Sequence, residues 1–255
     1  AQGETVYDLS LGEPDFDTPL HIRQAALEAM EAGHTHYTQA GGIPELKKAV
    51  VESYKAAHGL GYDPAQVVVS NGAKHSLHNV VTVLLDPGDE VIIPAPYWVS
   101  YAELVKLTGA VPVIVQTRQE DDFRLKPEAL QAAVTEKTKV LLLCSPSNPT
   151  GSMYSPEDLA ALADVVLDKN LIVVADEIYD RLVYPGNVFA SFPTVRPGLQ
   201  DRCIIVNGVS KTYAMTGWRI GWAMAPANVA KAMNNLQSQE TSCPCSISQY
   251  ASIAA

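Results

Sequence analysis

Lys139-Val140-Leu141-Leu142-Leu143-Cys144-Ser145-Pro146-Ser147-Asn148-Pro149-Thr150-Gly151, then Ser155-Pro156-Glu157-Asp158, then Leu171-Ile172-Val173-Val174-Ala175-Asp176, is the stretch that decides the fold. Its two apolar runs are hydrophobic at nearly every position, the pattern of strands covered on both faces. Between them Leu159, Leu162, Ala163, Val166 and Leu167 recur at helical spacing. Ser155 can cap that helix, Pro156 suits its first turn and Asp158 completes a capping box. The segment therefore reads strand, loop, helix, strand.

The same alternation extends in both directions. Val67-Val69, Val91-Ile93, Val111-Val115 and Ile204-Val206 read as further strands, and Leu46, Ala49, Val50, Ser53, Tyr54 and Ala57 mark one face of a second helix. Asp86-Pro87-Gly88-Asp89 is a turn between a helix and a strand. Strands alternating with helices over this length predict an α/β domain with a mostly parallel sheet. Such sheets place ligands at the carboxyl ends of their strands. No internal repeat and no linker-like Gly/Ser run interrupts the pattern.

Composition fits this reading and narrows the partners. The 255 residues are 47% hydrophobic, enough for one large core, and the formal net charge of −10 argues against a nucleic-acid partner. No apolar run has the length of a membrane helix, and Ala1-Gln2-Gly3-Glu4 lacks the features of a signal peptide. A cytoplasmic protein is expected. Of the four cysteines, Cys144 and Cys203 adjoin apolar runs and read as core thiols. Cys243-Pro244-Cys245 has no second ligand pair at zinc-site spacing. His75 and His78 have a metal-like spacing on a helix but no third ligand, which favours packing. No metal is expected.

Four strand ends carry unusual chemistry. Ser70-Asn71-Gly72-Ala73-Lys74 opens a helix with small residues, which suits an anion held by free backbone N–H groups, although a plain glycine turn would look the same. It has neither the G-x-x-x-x-G-K-[ST] nor the G-x-G-x-x-G spacing. In Ser145 to Gly151 two prolines bracket Asn148 and hold it rigidly. Asp176-Glu177-Ile178-Tyr179 puts an acid at the end of an apolar strand, where it is either solvated or faces a cation. Asn207-Gly208-Val209-Ser210-Lys211 sets a lysine among small and apolar residues, which lowers an amine's pKa. Thr216-Gly217-Trp218-Arg219-Ile220-Gly221 adds a second cation. An amine, an anion loop, an arginine, an acid and flat aromatics together are the set that pyridoxal phosphate (PLP) requires.

These strings resemble the signatures of class I/II aminotransferases of PLP fold type I. The likeness runs from Leu11-Gly12-Glu13-Pro14-Asp15-Phe16 to about Gln239. Ala95-Pro96-Tyr97-Trp98-Val99-Ser100-Tyr101 is most similar to the bacterial aspartate aminotransferase branch. The resemblance implies a three-layer α/β/α large domain. Residues 1–17 would form an N-terminal segment and 18–255 the PLP-binding domain, truncated at its end, with the C-terminal small domain absent.

It also implies roles. Lys211 would carry the cofactor as a Schiff base and serve as general base and acid. Asp176 would pair with the pyridine nitrogen, and Asn148 and Tyr179 would bond the ring's phenolic oxygen. Trp98 would stack on the ring. Gly72, Ala73, Lys74, Ser210 and Arg219 would hold the phosphate, with Tyr37 reaching the neighbouring subunit's site in a homodimer. Gly12 would meet the substrate's α-carboxylate. Lys74, Trp98 and Asn148 would also touch substrate, Lys74 at a distal carboxylate. Gly208 departs from the pattern, since many members have a hydroxyl residue there. The Ala95-Pro96 and Asn148-Pro149 bonds are expected to be cis.

The activity so implied is transfer of an amino group from an L-amino acid, aspartate-like, to a 2-oxo acid. A C–S lyase or cyclising synthase on the same fold, and a non-catalytic PLP-binding regulatory domain, are the alternatives.

Overall fold

The computed structural model describes residues 12–255, and within them seven strands form one sheet. These are β1 Val67–Ser70, β2 Glu90–Ala95, β3 Val111–Gln116, β4 Thr138–Cys144, β5 Ile172–Asp176, β6 Cys203–Gly208 and β7 Gly221–Met224, in spatial order β1-β7-β6-β5-β4-β2-β3. The pairs β3–β2, β2–β4, β4–β5 and β5–β6 are parallel, and β7 runs antiparallel to β6 and β1 on either side. The mostly parallel sheet is as the sequence predicts. The sequence reading does not find β7, because its four residues are too few to show a period and begin with glycine.

Eight helices accompany the sheet among the described residues: α1 Leu20–Glu31, α2 Pro44–His58, α3 Ala73–Leu84, α4 Ser100–Leu107, α5 Pro127–Ala133, α6 Pro156–Asp168, α7 Ala227–Glu240 and α8 Ser246–Ile253. Alternation along the strands divides them into two layers. Val67, Val69, Leu141, Leu143, Val173 and Ile205 pack with α1, α2, α5, α6 and α8. Val68, Val140, Leu142, Val174 and Ile204 point the other way, toward α3, α4 and α7. Both sides of the sheet are thus covered, which is why its strands are apolar throughout.

The α6 start matches its sequence. Ser155 Oγ accepts from the Asp158 amide at 3.1 Å, and Asp158 Oδ2 accepts from the Ser155 amide at 3.2 Å. Leu162 and Val166 of this helix are fully buried, each worth roughly 1.5–3 kcal/mol.

Register brings the chemistry to one edge. Cys144 lies opposite Asp176, and Asp176 opposite Val206, so the Asn148 loop, the acid and the Lys211 segment leave neighbouring strands together. Because β7 runs the other way, it begins where β1 and β6 end. Gly221 lies between Ser70 and Gly208, and Arg219 arrives at the same edge.

Candidate active site

Asp176 closes β5 with only 3% of its surface exposed. Its Oδ2 accepts from the Tyr101 hydroxyl at 2.7 Å and its Oδ1 from the Ile178 amide at 3.2 Å. Burial pushes the carboxyl up to about 6, the two hydrogen bonds holding it down, and no cationic side chain contributes. At neutral pH this is a buried anion without a countercharge among the described residues, a costly arrangement unless a cation is supplied.

Lys211 follows β6 and is half-buried, its ammonium donating to the Gly12 carbonyl. Burial lowers the amine's pKa, Arg219's charge adds to this and Glu13 opposes it. Lys211, Tyr179, Gly12 and Phe16 line one cleft of about 610 Å³. Tyr179 also borders a second cleft of about 750 Å³ with Asn148, whose amide donates to the Tyr179 oxygen at 3.5 Å. Burial raises the Tyr179 phenol to about 12, so it is a donor at physiological pH.

The β1–α3 loop forms a concave turn. Gly72 has φ 87°, and a methyl group there would overlap the Arg219 guanidinium. Gly221 is equally constrained, since a side chain would run into the Gly72–Ala73 backbone. The glycines let β7 and Arg219 close against the loop. Arg219 donates to the carbonyls of Thr216, at 2.9 Å, and Asn71, at 3.3 Å. The first amides of α3, at Ala73 and Lys74, point to the same side, as helix N-termini do. Ser210 is buried beside Lys211. This turn has the concave shape and the donors that suit an anion such as a phosphate.

Lys74 Nζ sits 4.6 Å above the Trp98 ring, and Trp98 meets Tyr101 edge-on at 5.5 Å. The structure thus gathers Gly12, Gly72, Ala73, Lys74, Trp98, Asn148, Asp176, Tyr179, Ser210, Lys211 and Arg219 along one edge. Tyr37 is not among them: it is 92% exposed. Gly208 has a packing reason, because a Cβ there would come within 2.8 Å of the Ile220 oxygen. The Ala95-Pro96 and Asn148-Pro149 bonds are cis as expected, and Ser145-Pro146 is a third.

Sequence reasoning did not assign Tyr101, the side-chain partner of Asp176, although it stands three residues after Trp98 at helical spacing. It also missed Gly221, whose role depends on the unforeseen β7. Both histidines of α3 face Glu240 of α7, and among the described residues no cluster of three ligands has metal-holding geometry. Cys203 is fully buried as expected, and Cys144 is partly buried against the core and donates to the Pro146 carbonyl. Cys243 accepts the Thr38 amide at 3.3 Å.

Residues 4–255 match the family described as aminotransferase class I and II. The chain is 51% identical along its whole length to an aspartate aminotransferase of Geobacillus stearothermophilus, covering 65% of that protein. It is 50% identical to an aspartate/prephenate aminotransferase of Cereibacter sphaeroides, of which it covers 64%. Among solved structures, the aspartate aminotransferase of Rhizobium meliloti superposes with a TM-score of 0.97 at 48% identity, over 99% of this chain and 63% of that one. The Thermus thermophilus enzyme with maleate gives 0.93 at 44%, over 97% and 64%. The chain spans about 65% of the length of the relatives it matches. With this site and these relatives, the chain belongs to the class I and II aminotransferase family.

Proposed function

We propose that the protein is a PLP-dependent aminotransferase moving an amino group from aspartate, or a similar L-amino acid, to a 2-oxo acid. The observation that carries this reading is Asp176, a buried carboxylate with no cationic partner among the described residues. A protonated pyridine nitrogen supplies that charge. The rest of the site fits the same group: a turn at Gly72 that leaves no room for a Cβ, an arginine packed against it, and a half-buried amine in one cleft. When bound, PLP supplies an electron sink conjugated to the amino acid's α-carbon.

The chain's own residues do the remaining work. Lys211 holds the cofactor by its amine and moves the proton at the substrate's α-carbon, for which a lowered pKa makes its lone pair available. Asp176 keeps the pyridine nitrogen protonated. Asn148 and Tyr179 direct their donors to the ring's phenolic oxygen. Gly72, Ala73, Lys74, Ser210 and Arg219 bind the phosphate. Trp98 offers a flat face, and Lys74 above it can meet a distal carboxylate. Gly12 borders the substrate's place. Arg196 is committed to Asp164 by two bonds of 2.8 and 3.0 Å and is not the substrate's clamp.

The domain division is residues 1–17 as a lead segment and 18–255 as the cofactor domain. We also propose a homodimer in the cytoplasm, in which the exposed Tyr37 of each protomer reaches the other's phosphate. No described helix is long and apolar enough to cross a membrane.

The test uses full-length protein loaded with PLP and offered aspartate, alanine or tyrosine with 2-oxoglutarate. Glutamate and the matching oxo acid are expected, fastest with aspartate. Pyruvate and a thiol released from a thioether amino acid would instead establish a lyase. Lys211→Ala should remove the visible absorbance of the bound cofactor, and an unchanged spectrum would refute the assignment.

A further inference from the structure

His75 stands at the third position of α3, directly behind the anion cradle. Its Nδ1 accepts the backbone N–H of Asn71 at 3.2 Å. A neutral imidazole can accept at Nδ1 only when its proton is on Nε2. That nitrogen is buried and has no hydrogen-bond partner. The Glu240 carboxylate lies 3.9 Å away, too far for a hydrogen bond but close enough to favour a proton on the nitrogen that faces it. Glu240 ends α7 and is itself placed by His78 at 3.2 Å. Burial and the neighbouring His78 lower the pKa of His75 against Glu240, so the ring is neutral near pH 7.

Asn71 is therefore pinned on both sides. His75 holds its amide, and Arg219 Nη2 holds its carbonyl at 3.3 Å. The following Gly72 is the residue whose bare Cα the guanidinium approaches. An Asn71 released at its amide could turn, and its carbonyl would no longer aim Arg219 into the cradle.

We propose that His75, fixed as its Nε2–H tautomer by Glu240, is a positioning residue for the phosphate site: it sets the Asn71 backbone that aims Arg219, and touches neither cofactor nor substrate. The inference rests on reading Gly72, Ala73, Lys74 and Arg219 as that site.

The experiment titrates full-length, cofactor-free protein with PLP and, separately, inorganic phosphate. It compares wild type with His75→Leu, His75→Gln and His75→Asn. Asparagine places an oxygen near the position of Nδ1, whereas glutamine reaches toward that of Nε2. His75→Leu and His75→Gln should bind both probes about tenfold more weakly, the scale of one hydrogen bond lost from a partly buried donor, and His75→Asn should stay within about threefold of wild type. Imidazole nitrogen shifts of the wild type should show Nε2 protonated and Nδ1 bare, a readout independent of how the variants fold. Equal affinities across the three variants, an asparagine variant as weak as the leucine one, or a proton on Nδ1 would each overturn the inference. Wild-type protein that bound neither probe would overturn the phosphate-site reading, and the inference with it.

Discussion

Asp176→Asn is expected to strengthen the cofactor-free fold while abolishing transamination. The carboxyl is 3% exposed, and burial raises its pKa from 3.8 to about 6. Between those values the folded chain holds a proton that the unfolded chain has released. Its contribution to stability is therefore full below pH 3.8 and is lost as pH rises through about 6. At about 1.4 kcal/mol per pH unit, the interval corresponds to about 3 kcal/mol of destabilisation at pH 7.5. Asparagine keeps the shape and an oxygen acceptor for Tyr101 or the Ile178 amide, but leaves amide hydrogens to satisfy, which returns about 1–2 kcal/mol of the gain. The variant should then be about 1–2 kcal/mol more stable than wild type at pH 7.5, and no more stable at pH 4. Urea unfolding of both proteins without cofactor, at pH 4, 5.5 and 7.5, measures this directly. The PLP-loaded variant should lose at least about a hundredfold in kcat, about 2.7 kcal/mol of barrier. A stability difference that did not grow from pH 4 to pH 7.5 would refute the reasoning, because the buried charge would then not be the cost.

Tyr101→Phe removes a donor from Asp176 and should raise that carboxyl above about 6 by about one further pH unit, followed by infrared titration of the carboxyl; kcat should fall with KM little changed, and an unmoved titration would mean another group sets the acid. Gly72→Ala puts a methyl against Arg219 at φ 87° and should weaken PLP binding by about tenfold or more, measured by equilibrium titration. Ser155→Ala deletes the α6 cap and should cost about 1 kcal/mol in urea unfolding while leaving PLP affinity unchanged; altered affinity would show that α6 communicates with the site.

What could be read in advance depended on what each residue interacts with. The strands of the inner sheet were legible because Val140–Leu143 and Val173–Ala175 must be apolar on both faces whatever surrounds them. The α6 cap was legible because Ser155 and Asp158 complete each other within four residues. Lys211, Asp176, Asn148 and Arg219 were found because their types are improbable at strand ends and make sense only as a set. Tyr101 was not assigned, since its partner is 75 residues away and a buried tyrosine in a helix has the pattern of core packing. His75 was read as packing, and that is half of what it does; its bond to Asn71 spans four residues but depends on the turn at Gly72. Gly221 was beyond reach, because its constraint comes from the backbone of a loop near Gly72 that only β7 brings alongside.

The position of β7 also sets a timetable for biosynthesis. Among the described residues strand β1 has one neighbour in the sheet, and that neighbour is β7: Val67 pairs with Met224 and Ser70 with Gly221. A ribosome must add more than 150 residues after Val67 before its partner exists, on the order of ten seconds at ordinary elongation rates. Until then β2 to β6 can assemble among themselves, while β1 and the open side of β6 present unpaired backbone N–H and C=O groups to the cell. The described strand that is made last is also the one that brings Arg219 to the turn at Gly72. A nascent chain therefore sets Arg219 beside Gly72 in the same event that covers the open side of β6 and one side of β1.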